Sequence, residues 1–556
     1  MRKQSKLIAI TGAMLLGLIP CLTACTREPT TPENNLPEFS IEEEYLPSTE
    51  HIGDYSGKID VHLIFGSEMS GWKAVADAYE TYQPNVKIVL QNYEASEYSY
   101  SLRNELNTES TDLDIFAGNY VNEIVGKKAY EFYDKLSARN PYAGNNVWKT
   151  VLEDKAYSMN LSSASSKLLY IMNSQSLETC WYVNREAFID AGLVENGEVK
   201  IPKSWDELIS FCATLQEKGY TNPLGLAGNR AAISQTQFAW LLRVYGDQYY
   251  RDLEDDIQSQ SEDWCYSSAL SGFELNLNAP QPEAEENWNP NVLRTYQMIL
   301  DDESEVYAGV KSEKYACLME QFKKIQPFVS SSFASKGFDD VRSDFLANRA
   351  DKTSPVIFLD YLGFGLSFNG LIEDAGNRKF TIEQFDYPPM TCEEHVKTDY
   401  VRDVGGNGGY LSIFNHGTKQ NELCLDFIQF FMSPYGQSVF YNALKEENAA
   451  PSGVTTVKKV DMPAEWKTYF ENNKVRFNGL CDMNPFQRMY SHGGTSEFSF
   501  SFADSVSKYV MSSDASAFDT FAAEWSPELL KYFQTRFNAS GYKLDCYKTP
   551  ALNPKK

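Results

Sequence analysis

From Lys58 onward the chain alternates strand-like and helix-like stretches, and that alternation narrows the fold to an α/β sheet. Lys58 to Phe65 is β-rich with near-alternating polarity and ends in Gly66-Ser67-Glu68. Trp72, Val75, Tyr79 and Tyr82 then recur at helical spacing, and Pro84 ends that helix. Val86 to Leu90 reads as a second strand, and Leu113 to Phe116 as a short buried one running into Ala117-Gly118-Asn119. Strand, helix and strand in this order predict a mostly parallel sheet flanked by helices. The clearest helix is 204–218. Ser204 and Glu207 form a capping box, Trp205, Leu208, Ile209, Cys212 and Leu215 make one apolar stripe, and Gly219 closes it. A second begins near Lys419, with Cys424, Phe427, Ile428 and Phe431 as its stripe and Ser433-Pro434 as its stop.

The first residues carry a different signal. Arg2, Lys3 and Lys6 precede a mostly apolar run from Leu7 to Leu22, broken by Gly12, Gly17 and Pro20, and Leu22-Thr23-Ala24 lead to Cys25. This is the order of a signal peptide, and the run is too interrupted for a membrane span. The spacing resembles the bacterial lipobox, which implies cleavage after residue 24 and lipidation (palmitate) of Cys25; an ordinary secretory signal is the competing reading. Residues 26–56 hold Pro29, Pro32, Pro37 and Pro47 with Glu42, Glu43 and Glu44 between them, so 25–56 is expected to be an extended, solvated tether.

Charge excludes some partners. With 50 Lys+Arg against 76 Asp+Glu the formal charge is −26, and losing the three cations of residues 1–24 makes it −29. Such a surface repels nucleic acid and anionic headgroups. Among the 10 cysteines there is no C-x-x-C or His/Cys cluster, so neither a metal site nor a cofactor is expected. Disulfides among the rest fit an extracellular setting, and the sequence does not pair them. Between about 250 and 290, acids, Asn and Pro dominate, which reads as an inserted surface excursion, with calcium binding left open there.

Several segments are similar to the extracellular solute-binding proteins of bacterial importers, the family 1 branch that includes maltose- and oligosaccharide-binding lipoproteins. They are AYETYQPNVKI at 78–88, LDIFAGN at 113–119, CWYVNREAFIDAGL at 180–193 with IPKSWDELISFCATLQEKG at 201–219, NPLGLAGN at 222–229, FLANRADKTSPVIFLDY at 345–361, and the run from Gly405 to Gln437. The resemblance spans roughly 57–530, leaves 250–290 unmatched, and lacks the usual Gly-x-Trp ending after 354–364. It implies a two-lobed periplasmic-binding-protein-like fold (type II), with 57–170 plus 399–450 as lobe one and 171–398 plus 451–556 as lobe two. Hinges are expected near Leu168–Met172 and Val401–Gly409, with Gly405, Gly406 and Gly408 supplying backbone freedom. The implied protein is a monomer, lipid-anchored on the extracellular face of the bacterial membrane. It passes a carbohydrate to the permease subunits of an ABC importer.

In open α/β sheets ligands sit beyond the carboxyl ends of the strands. That rule selects Glu68 and Asn119 to grip hydroxyl pairs, and Tyr120, Trp181, Trp240, Tyr361 and Phe500 to cover sugar C–H faces. Core packing is the competing role for each ring. Trp205 lies on a helix's apolar face and is left out. The alternative function is a lipoprotein glycan-active enzyme using paired carboxylates. No G-x-S-x-G, H-E-x-x-H or P-loop occurs, and the five histidines show no metal spacing.

Overall fold

The computed structural model describes residues 36–556 except 109–110, 162–167, 271, 273, 276, 278–288, 400, 473–476, 479–485 and 487–495. The signal segment, Cys25 and the first part of the tether lie outside the described residues, as does part of the 250–290 excursion. Phe39–Lys556 forms one compact unit.

The principal strands are β1 (Gly57–Leu63), β2 (Val86–Asn92), β3 (Ile115–Phe116), β4 (Met172–Asn184), β5 (Leu224–Gly225), β6 (Ile357–Tyr361), β7 (Ile382–Phe385), β8 (Asp403–Ile413) and β9 (Val454–Thr455). Their order is β2-β1-β3-β8-β4-β6-β5, with β7 and β9 also paired to β4. In the first half β1 runs parallel to β2 and β3, and the end of β8 closes it antiparallel at Ser412 and Ile413. In the second half β5 and β6 are parallel, while β6 and β7 run antiparallel to β4. Both sides of the sheet are therefore mixed, parallel strands in each being joined by antiparallel ones.

Two long strands join the halves. β4 pairs with β8 from Met172 to Glu178 and with β6 from Thr179 to Val183. The passage from one half to the other thus falls at Glu178–Thr179, beyond the Leu168–Met172 stretch expected from sequence. The strand runs unbroken for 13 residues, and its crossing part is buried although polar: Asn173, Ser174, Gln175, Ser176 and Glu178 are all at most 4% exposed. On β8, Gly405, Gly406 and Gly408 pair with Glu178, Leu177 and Gln175. Gly409 beside them has φ +58°, and a Cβ there would stand 1.9 Å from Ser174 Oγ. A side chain at 409 would be both strained and obstructed.

The helices that matter here are α1 (Met69–Tyr82), α2 (Trp205–Glu217), α3 (Gln237–Tyr250), α4 (Phe338–Ala347), α5 (Thr418–Phe431), α6 (Pro434–Glu446) and α7 (Glu497–Met511). Ser204 caps α2 by accepting from Glu207 N at 3.2 Å, and the Glu207 carboxylate reaches back to Lys203 N rather than to Ser204. Trp205, Leu208, Cys212 and Leu215 are fully buried, as their spacing requires. Ser433-Pro434 both ends α5 and starts α6, because Ser433 Oγ accepts from Gly436 N and proline suits a first helical turn. In the first half Trp72 lies 4.3 Å from the Phe431 ring, and Gly71 lets α1 approach Phe440. A disulfide joins Cys317 to Cys392. Cys212 and Cys424 are free and buried.

Two sequence boundaries shift. Residues 39–51 do not extend into solvent. They form turns at Glu43–Tyr45 and Thr49–His51, bury Ile41, set Phe39 5.3 Å from Tyr435, and bond Ser40 N to Asp461, Glu42 to Lys459 and Ser48 N to Pro141 O. Apolar side chains between the acids give the segment a surface to bury. After residue 450, β9 pairs with Ser176 and Gln175, and Val457 bridges to Leu152, so 454–457 packs beside first-half elements.

Candidate functional site

The site grows from strand ends of both sheet halves. β1 ends at Leu63, and Gly66, at φ +51°, turns the chain into Glu68 immediately before α1. Glu68 Oε1 accepts from Gln175 Nε2 on the crossing strand at 3.1 Å and from Ser452 N at 2.7 Å. Burial pushes its carboxyl up, and the Ser452 and Gln175 bonds pull it back. After β3, a tight turn at Gly118–Val121 carries Asn119 and Tyr120. A Cβ on Gly118 would stand 2.3 Å from Ser412 Oγ, so glycine lets this turn press onto β8. Asn119 Oδ1 is buried and has no hydrogen-bond partner among the described residues. Tyr120 is 38% exposed and meets Tyr98 edge-on at 5.0 Å.

In the second half β6 ends in Asp360-Tyr361. The Tyr361 ring lies 4.8 Å from Trp240 on α3, and Phe338 at the start of α4 meets both rings, at 5.7 and 6.2 Å. Arg342, one turn further along α4, grips Asp360 through two bonds of 2.8 and 2.7 Å. Burial pushes the Tyr361 hydroxyl well above its usual range, and Asp360, Tyr120 and Tyr410 add to the rise while Arg342 opposes it.

The structure thus sets Tyr361 against Trp240, itself only 3% exposed in the core, and places Glu68, Asn119 and Tyr120 on the turns that follow β1 and β3. It does not bring Trp181 to either place. That ring is fully buried, stacked 6.1 Å from Phe385 and edge-on to Tyr387, because its place on β4 turns it into the core; it has no face left for a solute. Phe500 is half-buried on α7 under Arg230, 5.9 Å away, and belongs to the packing of α7 against the short helix Arg230–Gln235. Sequence reasoning missed Phe338, Arg342, Asp360 and Tyr410. Tyr410 directly follows the glycine run, which was the one available hint; the Arg342–Asp360 pair joins a helix to a strand and leaves no local pattern. Among the described residues no group of three or more His, Cys, Asp or Glu could hold a metal, and no helix is long and apolar enough to cross a membrane.

Residues 65–291 match the profile of the family described as bacterial extracellular solute-binding protein. No curated protein matches the sequence. Among solved structures, the chain is similar to a cyclic alpha-maltosyl-1,6-maltose binding protein from Arthrobacter globiformis, at 14% identity and a TM-score of 0.52, over 85% of this chain and 99% of that one. A solute-binding protein in complex with raffinose gives the same four values. A sugar transporter from Bacillus licheniformis in complex with stachyose follows at 12% identity and a TM-score of 0.50, over 85% and 100%. At such identities the likeness speaks for the two-lobed α/β fold. In that fold, and in the profile matched over residues 65–291, the chain is similar to the bacterial extracellular solute-binding proteins.

Proposed function

We propose that this protein is a lipid-anchored receptor on the outer face of a bacterial membrane. It captures a carbohydrate, an oligosaccharide, between the two halves of its sheet and hands it to the permease of an ABC importer. The observation that carries this reading is the partly exposed Tyr361 ring at the end of β6, with Glu68 and Tyr120 on the turns that follow β1 and β3. Aromatic faces cover the C–H patches of sugar rings, and Glu68 and Asn119 supply acceptors for hydroxyls. The raffinose- and stachyose-bound neighbours of the same fold support the ligand class. Against a glycan-active enzyme, Glu68 and Asp360 are both held by protein donors, whereas glycoside hydrolysis needs one carboxyl to give a proton and another to attack or activate water.

The test is a thermal-shift screen of the mature protein against neutral mono- and oligosaccharides. A ligand of the folded state at a hundred times its Kd stabilises by about 2.7 kcal/mol. A panel that leaves the melting temperature unchanged throughout would overturn the reading.

A further inference from the structure

One corner of the molecule inverts the charge of the whole. Residues 543–556 hold Lys543, Lys548, Lys555 and Lys556 against a single acid, Asp545, in a protein of charge −26. All four lysines are exposed, and none forms an ion pair with a described residue. The segment is folded back on itself: Lys543 N donates to Pro554 O at 3.0 Å, Leu552 N donates to Thr549 O at 3.0 Å, and Lys555 Nζ lies 5.8 Å from the centre of the Tyr542 ring. Cys546 and Tyr547 are buried under it. The same corner exposes apolar side chains, with Leu552 63% exposed, Leu544 51% and Trp264 40%. Trp264 N donates to Ala551 O at 2.9 Å, which sets that residue beside Leu552. Asn291 Nδ2 donates to Pro550 O at 2.8 Å, and the exposed Val292 follows it.

The acids nearby do not cancel these cations. Arg294 holds Asp263 through two bonds of 2.8 Å and reaches Glu262 at 3.5 Å. Asp301, Asp302 and Asp545 act on Tyr547, and Lys311 pairs with Asp302 at 3.8 Å. Four lysines then stand against Asp545 and Asp301. Acids elsewhere count for little, because charges more than about 8 Å away are largely screened at physiological ionic strength. Unpaired lysines around an exposed indole and two leucines fit an anionic lipid surface: the ammonium groups meet headgroup phosphates, and the apolar side chains enter the interfacial zone. A second copy of this chain fits worse, since a two-fold contact through this corner sets lysines against lysines. We propose that this corner docks on an anionic phospholipid bilayer, a second point of membrane contact besides the lipid anchor.

Vesicle flotation tests it on the full mature chain carrying Cys25→Ser, so that no acyl group contributes. One set of vesicles is phosphatidylglycerol and phosphatidylcholine in equal parts, the other phosphatidylcholine alone, both at physiological ionic strength. The protein is expected to float with the first and stay in solution with the second. Lys555→Gln and Lys556→Gln should each weaken partitioning by about fivefold, and Leu552→Ser should weaken it too, all three with the wild-type melting temperature because the side chains are exposed. No flotation with the anionic vesicles overturns the proposal. Equal flotation with both sets, or lysine variants that partition as the wild type does, overturns the role given to the lysines and the proposal with it. A concentration-dependent dimer that Leu552→Ser abolishes, in place of flotation, assigns the corner to self-association and overturns it as well. Each of these results leaves the carbohydrate reading untouched.

Discussion

Arg402 and Asp247 meet as a buried ion pair at the foot of β8, with Arg402 Nε 2.7 Å from Asp247 Oδ2 and neither side chain more than 1% exposed. Glu254 takes a third bond from Arg402 at 3.1 Å, and Arg251 grips Asp247 from its other side at 2.8 Å. Burial pushes the Asp247 carboxyl up, but Arg402 and Arg251 more than reverse this and hold it below the usual carboxylate range. The strand that crosses between the sheet halves is thereby fixed to α3 just before it departs. Arg402→Met should cost about 3–5 kcal/mol of stability by removing one partner of a buried pair. Urea denaturation measures it, and a loss below about 1 kcal/mol would show that the pair does not hold the strand.

A second buried carboxyl gives a pH signature. Burial pushes Asp426 up to about 6, against the pull of bonds from Tyr142 at 2.7 Å, Tyr79 at 2.8 Å and Gln83 at 3.3 Å. Because the folded value is raised, the folded state favours the protonated form. Stability from this group is full below the unfolded value of about 4 and is lost as pH rises through 6. Relative to Asp426→Asn, which cannot titrate, the wild type should lose on the order of 3 kcal/mol between pH 4 and pH 7. Parallel pH profiles of the two proteins would contradict the assignment.

The anchor is tested by fractionation. Cys25→Ala should release the protein from membranes or block its processing, as the Leu22-Thr23-Ala24-Cys25 spacing implies. Recovery of the variant in the membrane fraction at the normal mass would argue against lipidation.

Capture between two sheet halves joined by β4 and β8 predicts closure, because a solute touching both halves favours the state in which they meet. Small-angle scattering should give a smaller radius of gyration at saturating solute. An unchanged value would remove the closing mechanism and leave the fold assignment untouched.

How much of this could be read in the sequence follows from which signals are local. The stripe and cap of α2 were legible because Ser204, Trp205, Leu208 and Cys212 sit within one helix, and the strand–helix–strand opening was legible for the same reason. The crossing on β4 was not. Its buried residues Asn173, Gln175, Ser176 and Glu178 are polar, so no apolar alternation marks them as strand interior. Residues 39–51 read as solvated because their acids outnumber the few apolar side chains that dock. Trp181 and Trp240 look alike in sequence and both are buried; β4 stacks the first on Phe385, while α3 sets the second, 3% exposed, behind the Tyr361 ring. Arg342 and Asp360 find each other through tertiary packing alone.

The central claim is that the Tyr361 ring, backed by buried Trp240, holds a saccharide, and titration calorimetry of Tyr361→Ala tests it most directly. With the sugar identified by the thermal screen, the variant should lose about 1–3 kcal/mol of binding free energy, since a large ring face leaves the contact. Trp181→Phe, a core change away from the rings, should lower stability and keep the affinity near wild type. Tyr361→Ala binding as tightly as the wild type, with Trp181→Phe the weakened one, would contradict the account.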